Sequence, residues 1–237
     1  MEKSVPRRGR WTGAVLVAVL AVAHSHAPAQ DSAVLIQKID AAARARYQHV
    51  AGFTVTEQYD VFRGKDESHP AAEMTVRTTY RKGAGKTYAI LSQSGSPIIQ
   101  KFGLRPLLDN EKKINNPATV ENSWFTSTNY EMRLKPGATR QMDGRDCVAF
   151  AITPRRKAPN MIEGELWIDA TEGSIVEIDG LASKSPSVFA GSTKMMRHYI
   201  NIDGYAMATH ARAESNSALF GRTVVTIDYR DYNIQTH

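Results

Sequence analysis

Cysteine is almost absent from this chain of 237 residues, in which Cys147 is the only one. A single cysteine cannot form an intramolecular disulfide and cannot supply a cysteine cluster for zinc. Cys147 lies beside Val148 and Phe150 in an alternating pattern, so we interpret it as a small packed side chain rather than a nucleophile. Apolar burial and a hydrogen-bonded sheet must therefore stabilise the fold.

Short motifs for catalysis and metal binding are also missing. The sequence contains no Gly-x-Ser-x-Gly and no Ser-x-x-Lys, the local signatures of two classes of serine enzyme. After residue 29, no histidine lies three or four positions from another histidine, so local sequence offers no zinc site. We therefore predict a protein that is not an enzyme, with no catalytic residue, no cofactor and no bound metal; a triad assembled from distant residues stays open.

One segment, "RKGAGKTYAIL" (81–91), ends like a phosphate-binding loop, with Gly-Lys-Thr before an apolar run. The complete loop needs a glycine five positions before Gly85, but Tyr80 occupies that place. The residues after Lys86 favour a strand rather than a helix. We therefore predict that residues 82–85 connect a β-hairpin, that Lys86 is an ordinary surface lysine, and that no nucleotide binds.

Long hydrophobic runs are lacking, because the longest, Ala14–Ala23, is about half the length of a membrane-spanning helix. It follows a basic segment and precedes small residues at Ala27 and Ala29. This pattern predicts a signal peptide, residues 1–29, and a soluble periplasmic domain, residues 30–237. Arg7-Arg8 leaves both the general and the twin-arginine export routes open.

A strong positive charge is lacking once the leader is set aside. The full chain has 30 Lys and Arg against 24 Asp and Glu. Residues 30–237 hold 26 against 23, a net charge of +3. This composition gives no support for binding to nucleic acid, which needs a basic face.

Helical periodicity is limited to two regions. Apolar residues from Leu35 to Tyr47 recur at helical spacing after a candidate N-cap at Ser32. A second helical region spans residues 98–114, with Pro106 suited to a first turn. The other segments alternate between apolar and polar residues, which predicts about ten antiparallel strands. So many strands tend to curl, and the helical regions are the only segments that can cover the inner face.

Four segments carry a resemblance to a known family. They are "TNYEMRL" (128–134), "DCVAFAITPRRK" (146–157), "GELWIDATEGSIVEIDG" (164–180) and "SNSALFGRTVVTIDYRDYNI" (215–234). Together with the order of helix, strands, helical lid and strand meander, they resemble the LolA-like family of periplasmic lipoprotein-sorting and lipid-carrier proteins. The resemblance covers most of residues 30–237. It implies a mainly β fold with helices, an open antiparallel half-barrel of about ten to eleven strands covered by an N-terminal helix and a helical lid.

The resemblance also implies a function without catalysis, namely binding of an acyl chain, lipid or lipoprotein anchor in an apolar cavity. Such a carrier would contact a membrane transiently and take part in outer-membrane lipoprotein or lipid sorting. We expect the inward residues of three strands to line the cavity and apolar residues of the second helical region to form its lid. The expected cavity residues are Phe53, Val55, Met74, Val76, Tyr80, Met132 and Leu134, and the expected lid residues are Ile98, Ile99, Phe102, Leu107 and Leu108.

A second interpretation belongs to another functional class. The same half-barrel can be a non-catalytic sensor or assembly factor of the cell envelope, presenting its edges and the loop at 183–191 to a partner protein. Lipid that recurs in the purified protein favours the carrier. An empty cavity together with a stable protein partner favours the sensor.

Overall fold

A computed structural model of the chain describes residues 1, 28–158, 160–184, 192–217 and 221–237. Most of the predicted signal peptide, and residues 185–191 of the predicted partner loop, lie outside these ranges. The first element in the described ranges is a long helix, α1 (Pro28–His49), followed by β1 (Val50–Arg63), β2 (Ala72–Arg81) and β3 (Gly85–Gly95).

A lid segment, residues 97–114, follows β3. It consists of a short helix α2 (Pro97–Ile99), a π-helical turn (Gln100–Leu104) and helix α3 (Arg105–Ile114). After a 3₁₀ turn (Val120–Ser123), seven strands complete the fold. They are β4 (Tyr130–Met142), β5 (Arg145–Pro154), β6 (Ile162–Asp169), β7 (Ile175–Ala182), β8 (Thr193–Ile202), β9 (Tyr205–Ser217) and β10 (Gly221–Thr236).

The strands form one antiparallel sheet in the order β3-β2-β1-β10-β9-β8-β7-β6-β5-β4. Sequential strands are neighbours except β3 and β4, which stand at opposite edges, and β10 returns to pair with β1. The sheet is therefore not closed, and the predicted open half-barrel with two helical covers is confirmed.

Tight turns connect the hairpins as the sequence predicts. Asp143 and Gly144 both have positive φ, 49° and 73°, as a two-residue hairpin turn requires. Gly83 and Gly85 also have positive φ, 84° and 82°, in the connection between β2 and β3. The phosphate-loop-like segment is thus a hairpin, as expected.

Helix α1 covers the half of the sheet that contains β4 to β7. Its Ile39 is 1% exposed and packs in the largest core cluster with Phe150 and Leu166, which are fully buried. A Cβ atom added to Gly173 would lie 2.5 Å from atoms of Lys38, so glycine is needed where the helix crosses the β6–β7 turn. Asp40 accepts hydrogen bonds from the Ser127 amide and hydroxyl, at 2.8 and 2.5 Å.

The lid segment covers the other half of the sheet. Leu104 and Leu108 are buried against Met74 and Val76 on β2. The Gln100 side chain donates hydrogen bonds of 2.7 Å to the carbonyls of Glu73 and Ser94, which fixes the π-helical turn to the ends of β2 and β3. The two helical covers therefore pack on separate areas of the inner face.

Candidate functional site

A cavity of about 600 Å³ lies between α1, α3 and the inner face of the sheet. This volume is within the range of about 300–1,000 Å³ that is typical of small-molecule sites. Its wall includes Ala42 and Tyr47 from α1, Leu107 from α3, and Phe53, Ile178 and Tyr229 from the sheet.

One side of the cavity is apolar. Ile162 on β6 and Ile175 and Ile178 on β7 line it, and Ile39 of α1 lies above them. Ile162, Ile178 and Ile39 belong to the core cluster under α1, so this side continues the hydrophobic core.

Another part of the cavity wall carries charged groups. Glu57 on β1, Lys86 on β3, Glu111 on α3 and Arg197 on β8 all line the cavity. The Lys86 Nζ lies 3.1 Å from Glu111 Oε2, while the nearest guanidinium nitrogen of Arg197 lies 4.0 Å from Glu111 Oε1. One carboxylate on the lid segment is therefore shared by two cations on separate strands.

The electrostatics of this group keep Glu111 ionised. Burial raises the pKa of Glu111, but Lys86, Arg197 and hydrogen bonds from Lys86 and Asn115 lower it by more, so the net pKa is below its usual value. Opposite charges thus hold α3 near β3 and β8 across the cavity.

Tyrosines surround the charged groups. Six of the nine tyrosines of the chain line the cavity, namely Tyr47, Tyr80, Tyr199, Tyr205, Tyr229 and Tyr232. Burial raises the pKa of Tyr229 well above its usual value, although the nearby Arg197 charge lowers it in part, so its hydroxyl stays neutral. In the adjoining wall, the Tyr59 hydroxyl donates a short hydrogen bond to Glu57. The cavity can therefore offer hydroxyl and cationic groups as well as apolar surface.

The structure places only part of the expected cavity residues in the cavity wall. Phe53 and Tyr80 line it, with ring centroids 5.1 Å apart. Val55 is buried near Phe53, while Met74 and Val76 are buried beneath the lid segment. Met132 and Leu134 pack in the cluster under α1 and do not border the cavity.

Only some of the expected lid residues face the cavity or the core beside it. Leu107 lines the cavity, Leu108 is buried, and Ile99 is partly buried in the same cluster. Ile98 and Phe102 are 68% and 70% exposed and lie on the outer face of the lid segment, so they do not cover the cavity. Residues four apart lie on one face of a helical segment, so Ile98 and Phe102 share a face. That face points to solvent, whereas Ile99 and Leu108 pack toward the sheet.

The interpretation of Lys86 as an ordinary surface residue is wrong. Its side chain is only 14% exposed and forms the ion pair with Glu111 inside the cavity. The loop before it is the predicted hairpin, but β3 passes close under α3. Lys86 therefore belongs to the site even though it is not part of a phosphate-binding loop.

Sequence patterns missed the charged residues, although one signal was present. The apolar face of β1 carries Phe53, Val55, Tyr59 and Val61, and Glu57 occupies the missing position of that alternation. It is 1% exposed, so an acidic residue at an inward position marked the cavity. Arg197 shows the same signal, because it falls between Met195 and Tyr199, which also line the cavity.

Metal-binding clusters and membrane-spanning helices are both missing from the part of the chain that the structure describes. Among the residues that the structure describes, no group of three or more His, Cys, Asp or Glu is arranged to hold a metal ion. No helix within the described ranges combines the length and hydrophobicity needed to cross a bilayer.

Comparisons with known proteins place the fold among solved structures only. No protein family and no curated protein matches the chain. A LolA superfamily protein from Nitrosomonas europaea matches with 12% identity and a TM-score of 0.42, over 86% of this chain and 93% of that one. A Vibrio parahaemolyticus domain, described as an outer membrane lipoprotein-sorting protein domain, matches with 12% identity and a TM-score of 0.44, over 84% and 92%.

A third solved structure is a DUF1329 family protein from Desulfovibrio piger, with 16% identity and a TM-score of 0.41 over 85% of this chain and 93% of that one. Two of these three solved structures are described as LolA superfamily or lipoprotein-sorting proteins, the family that the sequence resembles.

Proposed function

We propose that the protein is a non-catalytic carrier that binds an acyl chain, lipid or lipoprotein anchor in the cavity between α1 and α3, within the cell envelope. One observation carries this proposal: a partly covered cavity of about 600 Å³ whose apolar side continues the hydrophobic core. Outer-membrane lipoprotein or lipid sorting is the process that we assign to it, and the predicted signal peptide supports a periplasmic location.

Hydrophobic burial supplies the affinity in this proposal. Each buried methylene group contributes about 0.8 kcal/mol, so a long chain of about ten methylenes against Ile162, Ile175 and Ile178 is needed to offset the freedom lost on association. The lid segment must move for a chain to enter. Its attachment at the cavity includes a largely buried ion pair, whose attraction is offset in part by the cost of removing both charges from water.

Mass spectrometry of lipid extracts from the gently purified protein tests the proposal. We expect a recurrent lipid in extracts of the wild-type protein and much less of it for Ile178→Asp, which places a charge on the apolar side. Phe102→Asp is the matched control, because Phe102 is exposed outside the cavity. An extract without lipid, from a protein whose cavity also fails to bind added fatty acid, would refute the carrier.

The alternative, a protein-binding sensor or assembly factor, is favoured by a different observation. The edge strand β3 presents Ile90 and Leu91, which are 40% and 56% exposed. An unpaired edge can accept a strand from a partner protein. A stable partner recovered with wild-type protein, and an empty cavity, would favour this function over the carrier.

Transient contact with a membrane is part of the carrier proposal. Ile98 and Phe102 form an exposed apolar pair on the outer face of the lid segment. Lys101 and Arg105 lie beside them and border a groove next to the end of β3. Two cations around exposed apolar side chains suit an anionic lipid surface, where basic residues contact head groups and apolar ones enter the interface.

A further inference from the structure

The cavity has an apolar part and a part that carries charges of both signs, and the boundary between them lies between neighbouring strands. Arg197 on β8 is paired with Ile178 on β7 and with Ala211 on β9. Neighbouring strands lie about 4.8 Å apart, so the backbone of Arg197 is one strand away from Ile178 in the apolar wall. A molecule that lies across this boundary must itself have a charged end and an apolar end.

At this boundary Arg197 makes a longer ion pair with Glu111 than Lys86 does, and the Tyr199 side chain is its other hydrogen-bond partner. Lys86 and Arg197 share Glu111, which is close to Lys86 at 3.1 Å and further from Arg197 at 4.0 Å. The Arg197 side chain is also the most exposed of the three, at 32% compared with 14% for Lys86 and 19% for Glu111. Since Arg197 lines the cavity, this exposed part of it is available to a ligand.

A second guanidinium group lies on the wall formed by α1. Arg46 lines the cavity, and its Nε is buried without a hydrogen-bond partner in the described part of the chain. A buried donor without a partner is costly, and a ligand oxygen would satisfy it. Arg46 is thus an independent indication that an acceptor group enters the cavity.

We propose that the preferred ligand is a single-chain amphiphile with a terminal carboxylate, which takes the place of the Glu111 carboxylate at Arg197 while its chain lies against Ile162, Ile175 and Ile178. This inference rests on the proposed carrier function and adds the class of head group. Glu111 already shows that a carboxylate fits between Lys86 and Arg197. An arginine fork binds a carboxylate through two parallel hydrogen bonds, which a neutral hydroxyl cannot accept as well.

Replacement of the Glu111 carboxylate by the ligand carboxylate at Arg197 couples ligand binding to the position of the lid segment. Glu111 is on α3, so a ligand that replaces it at Arg197 removes a link between the lid segment and β8. Glu111 competes with the ligand, and loss of its charge should strengthen binding of the carboxylate. This expected gain of function is specific, because general damage to the cavity would weaken binding.

Isothermal titration calorimetry with dodecanoate, dodecanol and dodecyl phosphate tests the proposal on the whole protein. We expect wild type to bind dodecanoate about tenfold to a hundredfold more tightly than dodecanol. Arg197→Met should remove that difference and leave dodecanol binding unchanged, and Arg197→Lys should retain part of it. Glu111→Gln should bind dodecanoate more tightly than wild type does. Arg140→Met is the matched control, since Arg140 stacks on Trp167 away from the cavity.

The outcomes separate this inference from the carrier proposal. Failure of all three compounds to bind wild type would overturn the carrier itself. Equal binding of dodecanoate and dodecanol, or equal losses for both in Arg197→Met, would overturn the carboxylate site and leave the carrier standing. Tighter binding of dodecyl phosphate than dodecanoate would overturn the choice of carboxylate. Unfolding midpoints of the variants identify any loss that comes from misfolding.

Discussion

The two halves of the inner face of the sheet are built from the same alternating strands but filled differently. Under α1, the inward residues of β4 to β7 are apolar and include Phe150, Leu166 and Ile168, all fully buried. Beside α3, the inward positions include Glu57, Lys86 and Arg197, and a cavity remains. Charged groups need partners or water when they leave bulk solvent, so this half cannot close into a dry core.

This difference also concerns how the two helical covers are attached. Helix α1 is fixed by Ile39 in the core and by Asp40 bound to Ser127. At the cavity, the lid segment is held by the ion pair of Glu111 with Lys86. Both covers are anchored in apolar clusters, and the part of α3 at Glu111, which is attached through charges, is the part that can move for a ligand.

The largest expected effect is at Phe150, in the core cluster under α1 and outside the cavity wall. Phe150→Ala should lower the free energy of unfolding by about 3–5 kcal/mol, because it empties a fully buried site. Leu107→Ala at the cavity wall should cost less than half as much, since that side chain already borders open space. Urea denaturation measures both. Similar losses would show that the lid segment is ordinary core and that the two halves do not differ.

The next largest expected loss of unfolding free energy follows substitution of Lys86, which lines the cavity. Lys86→Met should cost about 1–3 kcal/mol, because Glu111 would lose its closest cation and keep Arg197 at 4.0 Å. Lys113→Met on α3 is the control, and as an exposed residue it should change the unfolding free energy by less than about 0.5 kcal/mol. A Lys86 variant as stable as the control would show that the ion pair contributes nothing to the closed lid.

The contribution of the ion pair between Glu111 and Lys86 to the unfolding free energy should depend on pH. The pKa of folded Glu111 lies below the ordinary value of 4.5, so the ionised carboxylate stabilises the folded protein. This contribution is fully present above about pH 4.5 and is lost as the pH falls through the lowered pKa. Between pH 7 and pH 3, wild type should therefore lose more unfolding free energy than Glu111→Gln does. Parallel curves over this range would contradict the assignment.

The sequence predicted the sheet and its covers because both depend on local periodicity. Alternation in β1 and the Asp143-Gly144 turn are local signals, and the structure has both. The cavity depends on which strands become neighbours, and that is set by the return of β10 to β1. Lys86 and Glu111 are 25 residues apart, so no local pattern could show that they meet.

Ile98 and Phe102 provide the test with the smallest effect on stability. Both are exposed on the outer face of the lid segment, so the double variant Ile98→Ser/Phe102→Ser should change the unfolding free energy by less than about 0.5 kcal/mol. If this face contacts a membrane, the same variant should bind vesicles of phosphatidylglycerol and phosphatidylcholine much more weakly than wild type does. Lys101→Glu/Arg105→Glu should do the same, because basic residues near an anionic surface each contribute about 1 kcal/mol.

A comparison of anionic and neutral vesicles tests whether charge attraction causes the binding of the lid segment to membranes. Co-sedimentation should be strong with anionic vesicles and weak with pure phosphatidylcholine, and it should decline as salt is added, since screening weakens attraction between exposed charges. Val34→Ser is the matched control, because Val34 is 53% exposed but lies on α1. An equal loss with Val34→Ser, or no binding of wild type to anionic vesicles, would rule out the lid segment as the membrane-facing surface. A loss confined to the lid variants would assign membrane contact to the cover beside the charged half of the cavity.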